Sequence, residues 1–167
     1  MTTLRHQQRR VAAGLVAGAV AGGFLYLALR ETLPAAPSPG AARIWLLLVP
    51  AALVFAMTAA VGRGRFLSPA IDPLAGAENR FIAVTGRALR NTIEQSVVFV
   101  LAGLALTELA PDGVRGVLPA VAVLFAIARL AFWIGYLIDP IHRAAGMALT
   151  MLINMSLLVW AGMALLG

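Results

Sequence analysis

Seven polar side chains stand apart in an otherwise apolar chain. Arg87, Asn91 and Glu94 are spaced i, i+4 and i+7. On a helix that spacing stacks a cation, an amide and a carboxylate along one face. Arg90 belongs to the same polar run. Arg129, Tyr136 and Arg143 follow one another at steps of seven, the last beyond the Asp139-Pro140 break. Four cations, one amide, one acid and one phenol do not make a hydrolase, because they contain neither a Ser–His pair nor a paired-carboxylate geometry. They suit an anionic ligand carrying several carboxylates, which arginine binds through its planar fork of donors.

The medium around these residues follows from composition. The 167-residue chain is 61% hydrophobic and 12% charged, with a mean hydropathy of +0.91. Soluble domains are roughly 45–50% apolar and about 25% charged. The chain therefore reads as an integral membrane protein of four or five spans. An ionisable residue inside such a span marks a functional site by default. There is no cysteine, and His6 and His142 are the only histidines. No disulfide, cysteine nucleophile or histidine-rich metal site is expected, so any thiol chemistry needs a thiol from a ligand. The net charge is +6 and there is no lysine. Without a basic stripe interleaved with aromatics, nucleic acid is set aside as a partner. The arginines read as the basic flanks of membrane spans.

Five elements must position the polar set. The apolar run 11–29 follows Arg5, Arg9 and Arg10. It is longer than the 7–15 residues of a signal-peptide core, and so predicts an uncleaved signal-anchor helix. Its Gly14, Gly18 and Gly22 form either a face for close helix approach or simply part of an Ala/Gly-rich span. A Pro/Ala/Ser loop over 30–42 leads to a second helix over 44–61, kinked at Pro50 and ending at Gly62-Arg63-Gly64-Arg65. The third helix is expected over 79–106, the fourth over 114–138 and the fifth over 143–166, with a short turn at 108–113. Met147, Met151, Met155 and Met163 of the fifth helix suit flexible packing.

Charge then orients the spans. Arg5, Arg9, Arg10, Arg63, Arg65, Arg80, Arg87 and Arg143 fall on one side. Arg30, Arg43 and Arg115 face Glu31, Glu108 and Asp112 on the other. By the positive-inside rule the N-terminus and the Arg87 end are cytoplasmic, and the C-terminus is outside. Arg129 lies inside the fourth helix, where an arginine costs about 2.5–3.5 kcal/mol at the bilayer centre. Glu94, about 10 Å past Arg87 along an antiparallel helix, is predicted to pair with it. Such a pair serves either the fold or a ligand.

At this point the motifs resemble a known group. Arg87-Ala88-x-x-Asn91-x-x-Glu94 is similar to the second-helix signature of the MAPEG superfamily, the membrane-associated proteins in eicosanoid and glutathione metabolism. Arg129 followed at seven by Tyr136 resembles its third-helix signature. Arg143 resembles the arginine that activates the glutathione thiol in the family's leukotriene C4 synthase. Arg63 and Arg65 resemble the basic end of the family's first helix. The resemblance covers about 44–166. It implies an all-α four-helix membrane domain over residues 43–167, preceded by an additional transmembrane helix and loop over residues 1–42.

The resemblance further implies a homotrimer in the membrane, with glutathione between neighbouring subunits. Arg87, Arg90, Asn91, Glu94, Tyr136 and Arg143 would contact glutathione from one subunit. Arg63 or Arg65 would reach it from the next, and Arg129 would support Tyr136 and Glu94 from behind. Arg143 and Tyr136 would be catalytic, for a transferase or peroxidase acting on an apolar electrophile or lipid hydroperoxide in a bacterial inner membrane. Leu89 and Phe132 stand where relatives often carry polar residues. They favour the alternative of a non-catalytic lipid- or ligand-binding member. A transporter is disfavoured, because the chain has no internal repeat.

Overall fold

A computed structural model of the chain describes residues 2–109 and 112–166. The helices are α1 (Thr2–Thr32), α2 (Pro39–Phe66), α3 (Arg80–Leu109), α4 (Asp112–Ile138) and α5 (Arg143–Leu166), with a 3-10 turn at Pro69–Ile71 between α2 and α3. All five helices are long and apolar enough to cross a membrane, and the described residues contain no strand.

The helices run past their apolar cores, and local chemistry explains where they start. Ser38 caps α2, its Oγ accepting from Ala41 N at 3.2 Å, with Pro39 in the first turn. Proline suits that position because its missing N–H would be unpaired anyway. The Pro/Ala/Ser loop is therefore shorter than expected. Asn79 starts α3 in the same way, its Oδ1 accepting from Ile82 N at 3.0 Å. α2 also continues through Pro50 and through Gly62–Arg65, where its end was expected. The expected turn at 108–113 begins later, since Glu108 is still helical; Ala110 and Pro111 lie outside the described residues.

α4 is the central element and touches the other four helices. The core at its middle is apolar: Phe99 of α3 stacks on Phe125 of α4 at 4.2 Å, surrounded by Leu46, Leu106 and Leu118. The outer faces are apolar too, with Leu48, Phe55, Leu101 and Ile134 all exposed. That arrangement is stable when the solvent is lipid. At one end of the bundle Arg43 pairs with Glu108 and donates from Nε to Thr107 Oγ1 at 3.2 Å. At the other end α2 and α4 finish, and α1, α3 and α5 begin. Arg80 of α3 donates there to the carbonyl of Ile138 at 3.3 Å, tying α3 to the last turn of α4.

α1 packs on α5 and α4, not on α2 or α3. Its glycine stripe is a close-approach face. A Cβ built on Gly18 would lie 2.3 Å from the Ala145 carbonyl oxygen, which no side chain can occupy. Small residues allow such backbone contact between membrane helices, whose association depends on packing rather than on the hydrophobic effect.

Candidate ligand site at the basic end of the bundle

The site begins with Arg129. Its side chain is wholly buried among α3, α4 and α5. It does not meet Glu94. Nη2 donates to Asn91 Oδ1 at 2.9 Å and to Thr92 Oγ1 at 3.0 Å; Nε donates to Thr92 Oγ1 at 3.2 Å; Nη1 donates to Thr150 Oγ1 at 3.4 Å. The guanidinium also lies 4.1 Å above the Phe132 ring. The expected Glu94–Arg129 ion pair is therefore replaced by a cage of neutral oxygens and one aromatic face. Rotation along α3 accounts for the change. Each residue turns the helix by about 100°, and packing aims Thr92 inward, Asn91 at the margin and Glu94 outward. Glu94 is exposed and approaches Asn91 Nδ2 at 3.5 Å. Asn91 thus stands between the two charges, accepting from Arg129 with its oxygen and facing Glu94 with its amide nitrogen.

In front of this cage lies a cavity of about 270 Å³, lined by Arg87, Asn91, Phe132, Tyr136, Arg143 and Met147. The Arg143 guanidinium sits 4.5 Å over the Tyr136 ring, and Tyr136 meets Phe132 edge-on at 6.0 Å. The backbone sets that stacking. Asp139 closes the turn between α4 and α5, its Oδ1 accepting from Ile141 N at 2.8 Å and its carbonyl from His142 N at 3.0 Å. Such an Asx turn reverses the chain in few residues. Gly146 then lets α5 lie directly on α4, since a Cβ there would be 2.3 Å from Phe132 N. The first turn of α5 is held against the last turns of α4, and Arg143 comes down on Tyr136.

The other expected site residues fall in three places. Arg90 is exposed on the outward face of α3 with Glu94. Arg63 is exposed at the end of α2, and Arg65 is paired with Glu78 of the same chain. Arg129 is not on the cavity wall but behind it. Thr92, Thr150 and Met147 were not anticipated in these roles. The two threonines carry a weak signal, since buried hydroxyls recur along these spans: α3 also buries Thr85, Ser96 and Thr107. Leu89 is turned into the apolar cluster around Phe132 and Leu53. Among the described residues no three His, Cys, Asp or Glu side chains gather where a metal could sit.

The fold and the site together define a helical integral membrane protein with a strongly basic cavity at one end. The chain belongs to the MAPEG family, whose family model matches residues 40–163. That family comprises membrane proteins of glutathione and eicosanoid metabolism, both glutathione transferases and non-enzymatic members. The match takes in α2 to α5 and leaves α1 outside. No curated protein and no solved structure matches the chain.

Proposed function

We propose that this protein is a membrane-embedded, glutathione-dependent transferase or peroxidase acting on an apolar electrophile or lipid hydroperoxide. The observation that carries the reading is Arg143 stacked on Tyr136 at the rim of a cavity that Arg87 and Asn91 also line. Glutathione, when bound, supplies the thiol that attacks an electrophile or reduces a hydroperoxide. The cavity wall offers Arg87 for a carboxylate, Asn91 for a peptide group, and Arg143 with Tyr136 for the sulfur. Arg90 and Glu94, outside it on the outward face of α3, would take the second carboxylate and the ammonium group where a ligand runs on between subunits.

Arg143 favours the deprotonated sulfur by placing a fixed cation beside it. Lowering a thiol pKa by about two units requires roughly 2.7 kcal/mol, and a hydrogen bond to a charged group contributes about 1.5–3 kcal/mol. Arg143 is exposed in the single chain, where water screens its charge. A neighbouring subunit over the cavity removes that screening. Such a neighbour is also what α3 requires. Arg90 and Glu94 share its outward face with Val97 and Leu101, and a carboxylate on a membrane helix needs protein rather than lipid beside it. A homotrimer meets both needs, with Arg63 of the adjoining copy reaching the cavity and Arg129 holding Asn91 from behind. The basic end lies in the cytoplasm on this reading, and the apolar co-substrate enters from the bilayer.

Replacing Arg143 with Ala abolishes conjugation of an electrophilic chloronitroarene while chemical cross-linking still yields the oligomer. Unchanged turnover in that variant overturns the assignment. A second reading, a binding protein without catalysis, is favoured by Phe132, which brings an apolar ring to the cavity wall. Calorimetry separates the two: glutathione gives saturable heat in a transferase and none in a lipid-binding protein without catalysis.

A further inference from the structure

Two further hollows lie between α4 and α1, the helix outside the family match, and α5 closes the first of them. One, of about 410 Å³, opens between α1, α4 and α5; Gly23, Tyr26, Leu124, Ser156 and Trp160 are among its lining residues. The other, of about 530 Å³, is lined at the far end of the same seam by Arg30, Glu31, Gly116 and Ala120. The two are consecutive. Tyr26 and Arg30 are one turn apart on α1, and Leu124, Ala120 and Gly116 are successive turns of α4. From Gly23 to Arg30 is about 10 Å along the helix.

The seam grades from apolar to polar along its length. The inner hollow is walled by aliphatic groups. A Cβ built on Gly23 meets nothing within 4 Å, so that wall is open. Tyr26, Ser156 and Trp160 add a phenol, a hydroxyl and an indole N–H. Among the described residues none of the three has a hydrogen-bond partner. Tyrosine and tryptophan take such places where an apolar body must end at a wet boundary. At the mouth, Arg30 Nε and Glu31 Oε1 are 3.5 Å apart, with side chains 51% and 77% exposed. A neighbouring cation and anion complement a head that itself carries a phosphate and an ammonium group. A purely anionic head would satisfy Arg30 and be repelled by Glu31.

We propose that this seam binds one zwitterionic phospholipid of the bilayer, with an acyl chain in the inner hollow and its phosphoethanolamine head at Arg30 and Glu31. Its ester oxygens accept from the donors at the level of Tyr26 and Trp160. The site is independent of the glutathione reading, because it shares no residue with that cavity.

The full-length protein, extracted in mild detergent from membranes containing both phosphatidylethanolamine and phosphatidylglycerol, tests this by native mass spectrometry and analysis of the extracted lipid. The wild type retains one phospholipid per chain, phosphatidylethanolamine in preference to phosphatidylglycerol. Gly23→Leu puts an isobutyl group into the hollow from a position where the Cβ itself meets nothing, and lowers retention about tenfold, the effect of roughly two fewer buried methylenes. Glu31→Gln removes the preference between the two heads. No retained lipid, equal retention by Gly23→Leu, or a phosphatidylglycerol preference in the wild type overturns the proposal. So does a chain-to-chain disulfide in Gly23→Cys, since the chain has no other cysteine and such a bond would mean that a second copy fills the seam.

Discussion

Arg129 donates to Asn91 Oδ1 at 2.9 Å, and this bond joins the buried interior of the bundle to the wall of the basic cavity. A cation with no carboxylate among its hydrogen-bond partners is held by an amide, two hydroxyls and an aromatic ring. Its charge therefore stays uncompensated by an acid just behind Arg87 and Arg143. The field in the cavity is correspondingly positive, which favours an anionic occupant.

That cage can be weakened one acceptor at a time. Thr92→Val keeps the shape of the side chain and removes the oxygen that accepts from both Nε and Nη2 of Arg129. It should destabilise the protein by about 1–3 kcal/mol, the cost of leaving buried donors unpaired. Thermal unfolding in detergent measures the loss. A variant as stable as the wild type would show that the guanidinium finds another acceptor.

Glu94 behaves in the opposite way. It is exposed, and its nearest polar contact is the amide of Asn91 at 3.5 Å. Glu94→Gln should leave the unfolding temperature of the isolated subunit nearly unchanged, within about 0.5 kcal/mol. Glutathione affinity should fall about tenfold or more, the effect of losing a charge-assisted contact to an ammonium group. Calorimetry on the two proteins gives both numbers, and equal affinity removes Glu94 from the proposed ligand set.

Arg143 is placed by its stacking on Tyr136 as much as by its charge. Lysine retains the charge but not the planar face or the forked donors. Arg143→Lys is expected to keep part of the activity, with turnover reduced about tenfold to a hundredfold, between wild type and Arg143→Ala. Steady-state kinetics with a saturating electrophile tests this ordering. Full activity in the lysine variant would mean that charge alone matters.

The close contact between α1 and α5 depends on Gly18. Even a methyl group there would meet the Ala145 carbonyl oxygen at 2.3 Å. Gly18→Ala should cost about 1–3 kcal/mol through overpacking, although alanine is the better helix former. Hydrogen exchange should rise at the start of α5, which carries Arg143, and stay unchanged in α2 and α3, which α1 does not touch. Exchange rising equally in all helices would point to general loosening instead.

Solvent, number of spans and motif are legible in the residues alone. Apolar runs of about twenty residues or more require helices in lipid, since such a run satisfies its backbone polar groups within itself only as a helix. The spacing of Arg87, Asn91 and Glu94, and of Arg129, Tyr136 and Arg143, follows helical periodicity, which is a local property. Tertiary structure alone decided how each helix is rotated in the bundle. A turn of about 100° separates adjacent residues, so packing settled whether Arg129 meets Glu94 or Asn91 and Thr92. It also chose between the two readings of the glycine stripe, by bringing α5 against Gly18. The partner of a buried charge depends on which small residues let two helices approach, and those contacts join Arg129 to positions 21 to 38 residues away, Thr150 and Asn91 being the two extremes.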